Sequence, residues 1–554
     1  MLREASGRGA DGGGADGGGA ADAAANGAAA AVPARSGAGP RWALTRMRGL
    51  PALIRRHWLF SIALVLAAVP RVISMLGYRP AVLFKLDSFD YLWNATHLQP
   101  NAVNTSGYSL FLWLLRPFHS LAVVVGVQHL IGLGVAVMIY AVLRHFGVRD
   151  WVATLAAVSV LFTSAEILAE QLIMADFLAL ALMMAAFAVL LLRDRPSVWR
   201  SAAAGLLMAC SVIVRPTTLP LIALMVIYLL VRRAGWRRAG ALLVGGALPI
   251  VVYMAWFASA TGSFNLTNSN GLFLWSRTMS FANCTIIKPP ADLVALCPSQ
   301  QPGFLHRTNP ALRPQPKYYL WDHSAWQWKG KPLTVGLVPD TAAFTTANNA
   351  RAEHFAIKAI KAQPLAYLHV VGKQILQPFV TNDQFLFPFV QTHTQDLTPP
   401  YNQVYALAAI RDYVGNTKGI GPYLGSHLGA RLVEPYARLI RGYQRLTNLP
   451  AALFALITIA GLVGILLPRR RNWPAALLWV SAVVALVVPI AEHDYTYRYA
   501  LPTIPLVCMA VALCYGIAPR KPVPTTATAT ATNGTATADA VPPAPPERAP
   551  SGTA

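Results

Sequence analysis

The chain has 554 residues, 55% of them hydrophobic and only 12% charged, and its 46 Lys and Arg outnumber its 23 Asp and Glu to give a formal net charge of +23. Soluble domains carry about 25% charged residues, so this composition excludes an ordinary soluble enzyme and points to an integral membrane protein. The basic residues fall in short clusters between apolar runs, which makes them orientation signals facing anionic lipid rather than a nucleic-acid surface.

Residues 1–40 are nearly all Ala, Gly, Asp and Arg. They cannot bury enough apolar surface to order themselves, and read as a disordered cytoplasmic tail. No short apolar core with a cleavage site follows directly, so the segment is not read as a signal peptide. Arg41, Arg46, Arg48, Arg55 and Arg56 precede the first apolar run, Trp58 to Gly77, and place the N-terminus in the cytoplasm. Residues 41–260 then form a transmembrane module whose first outer loop covers 78–119. Further apolar runs follow from Ser120, Trp151, Ile173, Ser201, Thr217 and Ala239, and three more from Pro450, Trp473 and Tyr499. About ten spans are expected, with both termini inside, although several runs are shorter than the ~20 residues of a perpendicular span. The proposed inner turns carry Arg144 and Arg149, Arg193 and Arg195, Arg232 to Arg238, Arg469 to Arg471, and Arg520 with Lys521. The outer turns carry Asp87, Asp90, Glu166, Glu170, Asp176, Glu492 and Asp494.

Residues 261–449 interrupt the spans and are rich in Pro, Asn, Tyr and Trp. They are expected to form an extracytoplasmic, mixed, mostly helical domain, with an amphipathic piece from Thr345 to Ala362. Of the five cysteines none forms a zinc or CxxC spacing. Cys210, Cys508 and Cys514 lie in apolar runs as packing residues. Cys284 and Cys297, thirteen apart in an oxidising compartment, are expected to pair as a disulfide rather than stay free. Residues 450–518 hold the C-terminal helices, and 519–554 a disordered cytoplasmic tail of Pro, Thr and Ala.

Ionisable groups at membrane depth are costly and mark candidate functional positions. Four groups qualify. Asp87 and Asp90 end the first span, and on a helix Asp87 shares a face with Tyr91 and Asp90 with Asn94. Glu166, Glu170 and Asp176 lie between the third and fourth spans. Arg215 precedes Pro216 at a tight turn, and Glu492-His493-Asp494 leads to Arg498. All fall on the proposed outer side, where carboxylates and arginines suit a bound anion and a hydroxyl that must lose a proton. Each also has a plainer role. Asp87 suits a helix N-cap, Glu170 or Asp176 a helix start, Arg215 an interfacial anchor, Arg498 a loop ion pair and His493 a hydrogen-bonded loop histidine.

In these positions the chain resembles membrane glycosyltransferases of the GT-C fold, in particular the bacterial glycosyltransferase 39 type related to protein mannosyltransferases and aminoarabinose transferases. The resemblance is carried by Asp87-Ser-Phe-Asp-Tyr91, in which Ser88 stands where a second acid is usual and Asp90 offers a substitute. It continues through Ser106-Gly107-Tyr108, Asp176, Arg215-Pro216 and Arg498-Tyr-Ala-Leu-Pro502, and covers roughly residues 58–260 and 450–517. Ser276-Arg277 and the cysteine pair look similar to actinobacterial members. The resemblance implies an all-α polytopic fold and an enzyme that uses a sugar on a polyprenyl phosphate. The sugar would pass, with inversion, to a cell-envelope glycan, lipid or protein on the outer face of the membrane. Asp87 or Asp90 would serve as base, Arg215 and Arg498 would hold the lipid phosphate, and Tyr91, Glu170, Asp176, His493 and Asp494 would line the substrate. No cofactor is expected, since no ligand set in the chain requires a metal. The competing reading is a lipid-linked glycan flippase or transporter, which would favour paired halves and broken helices near the midplane. A scaffold protein would leave the one-sided acids unexplained.

Overall fold

A computed structural model of the chain describes residues 54–83, 85–301, 305, 307, 309–321, 344–381, 431–467 and 472–517. The expected tails at 1–40 and 519–554 lie outside these, as do Arg41, Arg46, Arg48, Arg469 to Arg471, Arg520 and Lys521. The chain divides into Met1–Arg56 and His57–Ala554, and everything below concerns the second unit. The helices α1 (Trp58–Gly77), α2 (Lys85–His97), α3 (Gly107–Leu115), α4 (Leu121–His145), α5 (Asp150–Leu161), α6 (Ser164–Gln171), α7 (Ala175–Leu191), α8 (Val198–Val214), α9 (Pro220–Val231) and α10 (Trp236–Thr261) come first. After them come α11 (Asn270–Thr278), α12 (Thr346–Ala362), α13 (Pro364–Val380), α14 (Tyr436–Thr447), α15 (Ala451–Leu466), α16 (Trp473–Glu492) and α17 (Thr503–Tyr515). A two-residue antiparallel ribbon, β1 (Tyr78–Arg79) with β2 (Arg431–Leu432), pairs Tyr78 with Leu432 and Arg79 with Arg431.

This is an all-α membrane protein. Among the described residues, α1, α4, α10, α16 and the Tyr497–Tyr515 segment are each long and apolar enough to cross a bilayer. The count reaches seven if the bent pairs α5–α6 and α14–α15, each turned by 48°, are single spans. Val65, Leu66 and Val69 on α1, Leu243, Val244 and Leu248 on α10, and Leu456 and Ile459 on α15 are exposed, as lipid-facing surfaces require. Of the ten spans expected from the sequence, the described residues supply five to seven by length and composition. Three of the apolar runs, Ala175–Leu191, Val198–Val214 and Pro216–Val231, form helices of at most 17 residues. Such a helix rises about 26 Å, short of the ~30 Å hydrocarbon core.

The run expected as one helix from Trp151 breaks at Phe162 and Thr163, between α5 and α6. A break inside an apolar bundle frees carbonyls that must find donors. Arg71, buried on α1, supplies them. Its Nη1 donates to Leu161 O at 2.8 Å and Ala67 O at 2.9 Å, and its Nη2 to Val160 O at 3.2 Å. The remaining edge grips Glu170 of α6, with Nε to Oε2 at 2.8 Å and Nη2 to Oε1 at 2.7 Å. All five guanidinium N–H groups are thereby used. His129 of α4 closes the network, with Nδ1 2.7 Å from Glu170 Oε2 and Nε2 2.9 Å from Gln171 Oε1. The carboxylate packs against Gly132, where a Cβ would lie 2.0 Å from Glu170 Oε1.

At the opposite end from the candidate site, the α4–α5 turn meets the end of α17. Val148 bridges Ile517, Arg149 N donates to Gly516 O at 2.9 Å, and Asn472 Nδ2 before α16 donates to Leu513 O at 2.8 Å. Within 261–449, a separate core gathers Leu272 and Trp275 of α11, Met279 just after it, Leu293, Leu296, Tyr319, and Phe355 and Ala356 of α12. The later helices of that region pack differently: Val371 of α13 lies against Leu486 and Ile490 of α16, and α14 packs on α1. Cys284 and Cys297 are joined by a disulfide across a separation of 13 residues. A loop of this length constrains the unfolded chain by about 3 kcal/mol. The Cys284→Ser/Cys297→Ser variant is therefore expected to unfold earlier by a comparable amount in chemical denaturation of the detergent-solubilised protein.

Candidate functional site

The site begins on α2. Its neighbour-facing side is fixed by Ser88, fully buried, whose hydroxyl donates to Ile173 O at 2.7 Å. A second acid at this position would point into the bundle, which accounts for serine there. With Ser88 turned inward, Asp87 projects to the open side, its side chain 36% exposed.

Asp90 has a different environment. Its Oδ1 accepts from Asn101 Nδ2 at 2.5 Å and its Oδ2 from Asn104 Nδ2 at 2.7 Å. The Asn101 carbonyl in turn accepts from the backbone N–H groups of Val103 and Asn104, so one side chain both folds the loop and holds the acid. Tyr91, buried on the same helix, donates to Asn104 Oδ1 at 3.4 Å and lies edge-on to Tyr108, ring centroids 5.0 Å apart. Burial pushes the Asp90 carboxyl up to about 6 and the charge of Asp87 adds to this, while the two asparagine donors oppose it. Unfolded, the group titrates near 3.8. The folded state therefore binds the extra proton between about pH 4 and 6, and Asp90 lowers stability progressively as pH rises through that window, by about 2–3 kcal/mol once fully ionised. Asp90→Asn is expected to remove this decline, read as a smaller difference in thermal midpoint between pH 4.5 and pH 7.

Three further residues converge on Asp87. Asp176 stands in the first turn of α7, where its charge complements the helix dipole. Arg215 caps α8 and its Nη2 pairs with Asp176 Oδ1. Arg498, on the turn Tyr497–Ala500, lies with Nη1 3.5 Å from Asp87 Oδ2, 3.6 Å from Asp176 Oδ2 and 3.1 Å from Met174 Sδ. Ser106-Gly107-Tyr108 explains how Arg215 reaches this point. A Cβ on Gly107 would meet Ile213 O at 2.5 Å, so only glycine lets α3 start against the end of α8. Thr105 Oγ1 donates to Val214 O at 3.1 Å and fastens the same contact.

Asp87, Asp90, Tyr91, Asp176, Arg215 and Arg498 are therefore one cluster. Glu170 is not part of it: both its oxygens are occupied by Arg71 and His129 inside the bundle. The extended stretch after Gln171, where Leu172 bridges Val82, separates it from Asp176. His493 and Asp494 form a second cluster beside α11 and α13. His493 Nδ1 lies 3.0 Å from Ser276 Oγ, and Asp494 Oδ1 accepts from Gln374 Nε2 and from the Tyr495 N–H at 2.9 Å. Burial holds the His493 imidazole down to about 3, reinforced by Arg277, Arg498 and Lys317. Burial also raises Asp494, with Gln374 and Arg277 opposing.

Sequence reasoning missed Asn101, Asn104, Gln374, Arg71 and His129. Arg71 alone carried a signal, as a charged residue within the first apolar run. Among the described residues no group of three His, Cys, Asp or Glu is arranged to hold a metal ion. Comparison with known proteins finds no family model that matches the chain and no curated protein that matches it.

Proposed function

We propose that the chain is a membrane glycosyltransferase that takes a sugar from a polyprenyl phosphate and passes it, with inversion, to a hydroxyl of a cell-envelope glycan, lipid or protein. The observation that carries this reading is the convergence of a part-exposed carboxylate, Asp87, with two guanidinium groups, Arg215 and Arg498, from helix ends far apart in the chain. Asp87 takes the acceptor's proton as its oxygen attacks the anomeric carbon, and the sugar–phosphate bond breaks on the opposite face. Arg215 and Arg498 receive the charge that develops on the leaving phosphate. Asp176 holds both arginines in place before the phosphate arrives. Asp90, engaged on both oxygens, fixes the loop and is not the base. No step is assigned to a metal ion.

In the same reading the three shorter apolar helices also cross the membrane, giving about ten spans with both termini cytoplasmic and the site extracytoplasmic. The meeting of the basic Arg144–Arg149 turn with the end of α17 supports a shared inner side. A transporter would use the broken pair α5–α6, but there Arg71 has no donor left for cargo and Glu170 is held by Arg71 and His129.

Two measurements test the proposal. Cysteines placed at 87 and 498 are expected to be labelled by an impermeant reagent from the same, outer compartment; labelling from opposite compartments would end the proposal. Proteoliposomes given a labelled lipid-phosphate sugar and an envelope extract are expected to form a new glycosidic bond and free polyprenyl phosphate. Sugar movement across the bilayer without bond formation would select the transporter instead.

A further inference from the structure

We propose that Arg277 anchors a second oxyanion site, separate from the Arg215–Arg498 cluster, that takes a phosphate or carboxylate group in the seam between α11, α13 and the turn after α16. Arg277 sits in the last turn of α11 with its side chain fully buried. Its Nη1 donates to Gln374 Oε1 at 2.8 Å and lies 4.0 Å from Asp494 Oδ1. Its Nε and Nη2 are equally buried and have no hydrogen-bond partner among the described residues. These two atoms form the side edge of the guanidinium, the fork that matches two oxygens of a carboxylate or phosphate.

The protein contains the engaged form of this fork. Arg71 uses the same edge, Nε and Nη2, to grip both oxygens of Glu170 at 2.8 and 2.7 Å. Arg277 has its other edge held by Gln374, so its side fork is fixed in direction. Asp494 does not fill it, because Asp494 Oδ1 is taken by Gln374 Nε2 and the Tyr495 N–H and approaches only Nη1. The surroundings are cationic: Arg277, Lys317 and Arg498 all act on His493, whose Nδ1 faces Ser276 Oγ. A buried donor without an acceptor is costly, and an anion gripped in two places would relieve both donors together. Entry requires α11 and the His493–Thr496 turn to part. Under the sugar-transfer reading the group belongs to the acceptor, since Arg215 and Arg498 serve the donor phosphate. That assignment rests on the reading, whereas the oxyanion site itself does not.

The test uses the full-length protein in uncharged detergent, titrated with inorganic phosphate or with acetate against sodium chloride at matched ionic strength. Its thermal midpoint is the readout. A saturable rise of a few degrees is expected with at least one of the two oxyanions, and the stronger one identifies the preferred chemistry. The rise is expected to persist in Arg498→Met and to vanish in Arg277→Lys, which keeps the charge and loses the fork. Asp494→Asn, which removes the nearest carboxylate, should lower the half-saturating concentration several-fold, and it decides the matter if Arg277→Lys does not fold. The proposal is overturned if neither oxyanion stabilises the wild type beyond chloride. It is equally overturned if the effect follows Arg498 instead of Arg277, or if Asp494→Asn leaves half-saturation unchanged or raises it.

Discussion

Asp87→Asn is expected to lower sugar transfer by about 10²–10⁴-fold, the range that a positioned general base contributes, while leaving the protein folded. The substitution preserves shape and an oxygen that Arg498 can still approach, so the arrangement of Arg498 between positions 87 and 176 should survive. What is lost is the proton acceptor. Asp87 suits that role because its side chain is 36% exposed, against 10% for Asp176, and Arg498 lies 3.5 Å from it. Asp90 has both oxygens committed to Asn101 and Asn104. Asp90→Asn should therefore reduce transfer far less, through a loosened loop. The measurement is transfer from a labelled lipid-phosphate sugar by equal amounts of reconstituted wild type and variants. If transfer survives in both variants, neither acid is the base and the mechanism fails.

The parts of this cluster that were legible in the sequence are those fixed by helix ends. Asp87, Asp176, Arg215 and Arg498 each stand where an apolar run stops, and scarcity of charge in so apolar a chain makes such positions visible. The division of labour between Asp87 and Asp90 was not legible. It depends on Asn101 and Asn104, uncharged residues in a loop with no periodicity, and on Ser88 turning that face of α2 into the bundle. Glu170 and Asp176 read as one group because they are six residues apart. The extended Leu172 between them sends one into the bundle and the other to the cluster, a backbone choice set by pairing with Val82 that no local pattern announces. The break between α5 and α6 was hidden for a similar reason. No Pro or Gly stands at Phe162-Thr163-Ser164 to announce it, and the donor that makes the break tolerable comes from α1.

That donor gives the largest expected effect on stability. Arg71→Met should destabilise the protein by about 3–5 kcal/mol, the cost of leaving one member of a buried ion pair without its partner. Two losses combine in this variant. Glu170 keeps His129 but loses the bidentate grip, and the carbonyls of Val160 and Leu161 at the end of α5 lose their donor. A double-mutant cycle separates them. In Arg71→Met/Glu170→Met the stranded charge is gone, so stability should recover in part relative to Arg71→Met. The portion that does not recover belongs to the freed carbonyls, which no substitution at Glu170 can satisfy. Unfolding of the detergent-solubilised variants by denaturant measures both terms. If the double variant is no more stable than Arg71→Met, the ion pair contributes nothing beyond the capping of α5, and Arg71 acts only as the clasp of a broken helix.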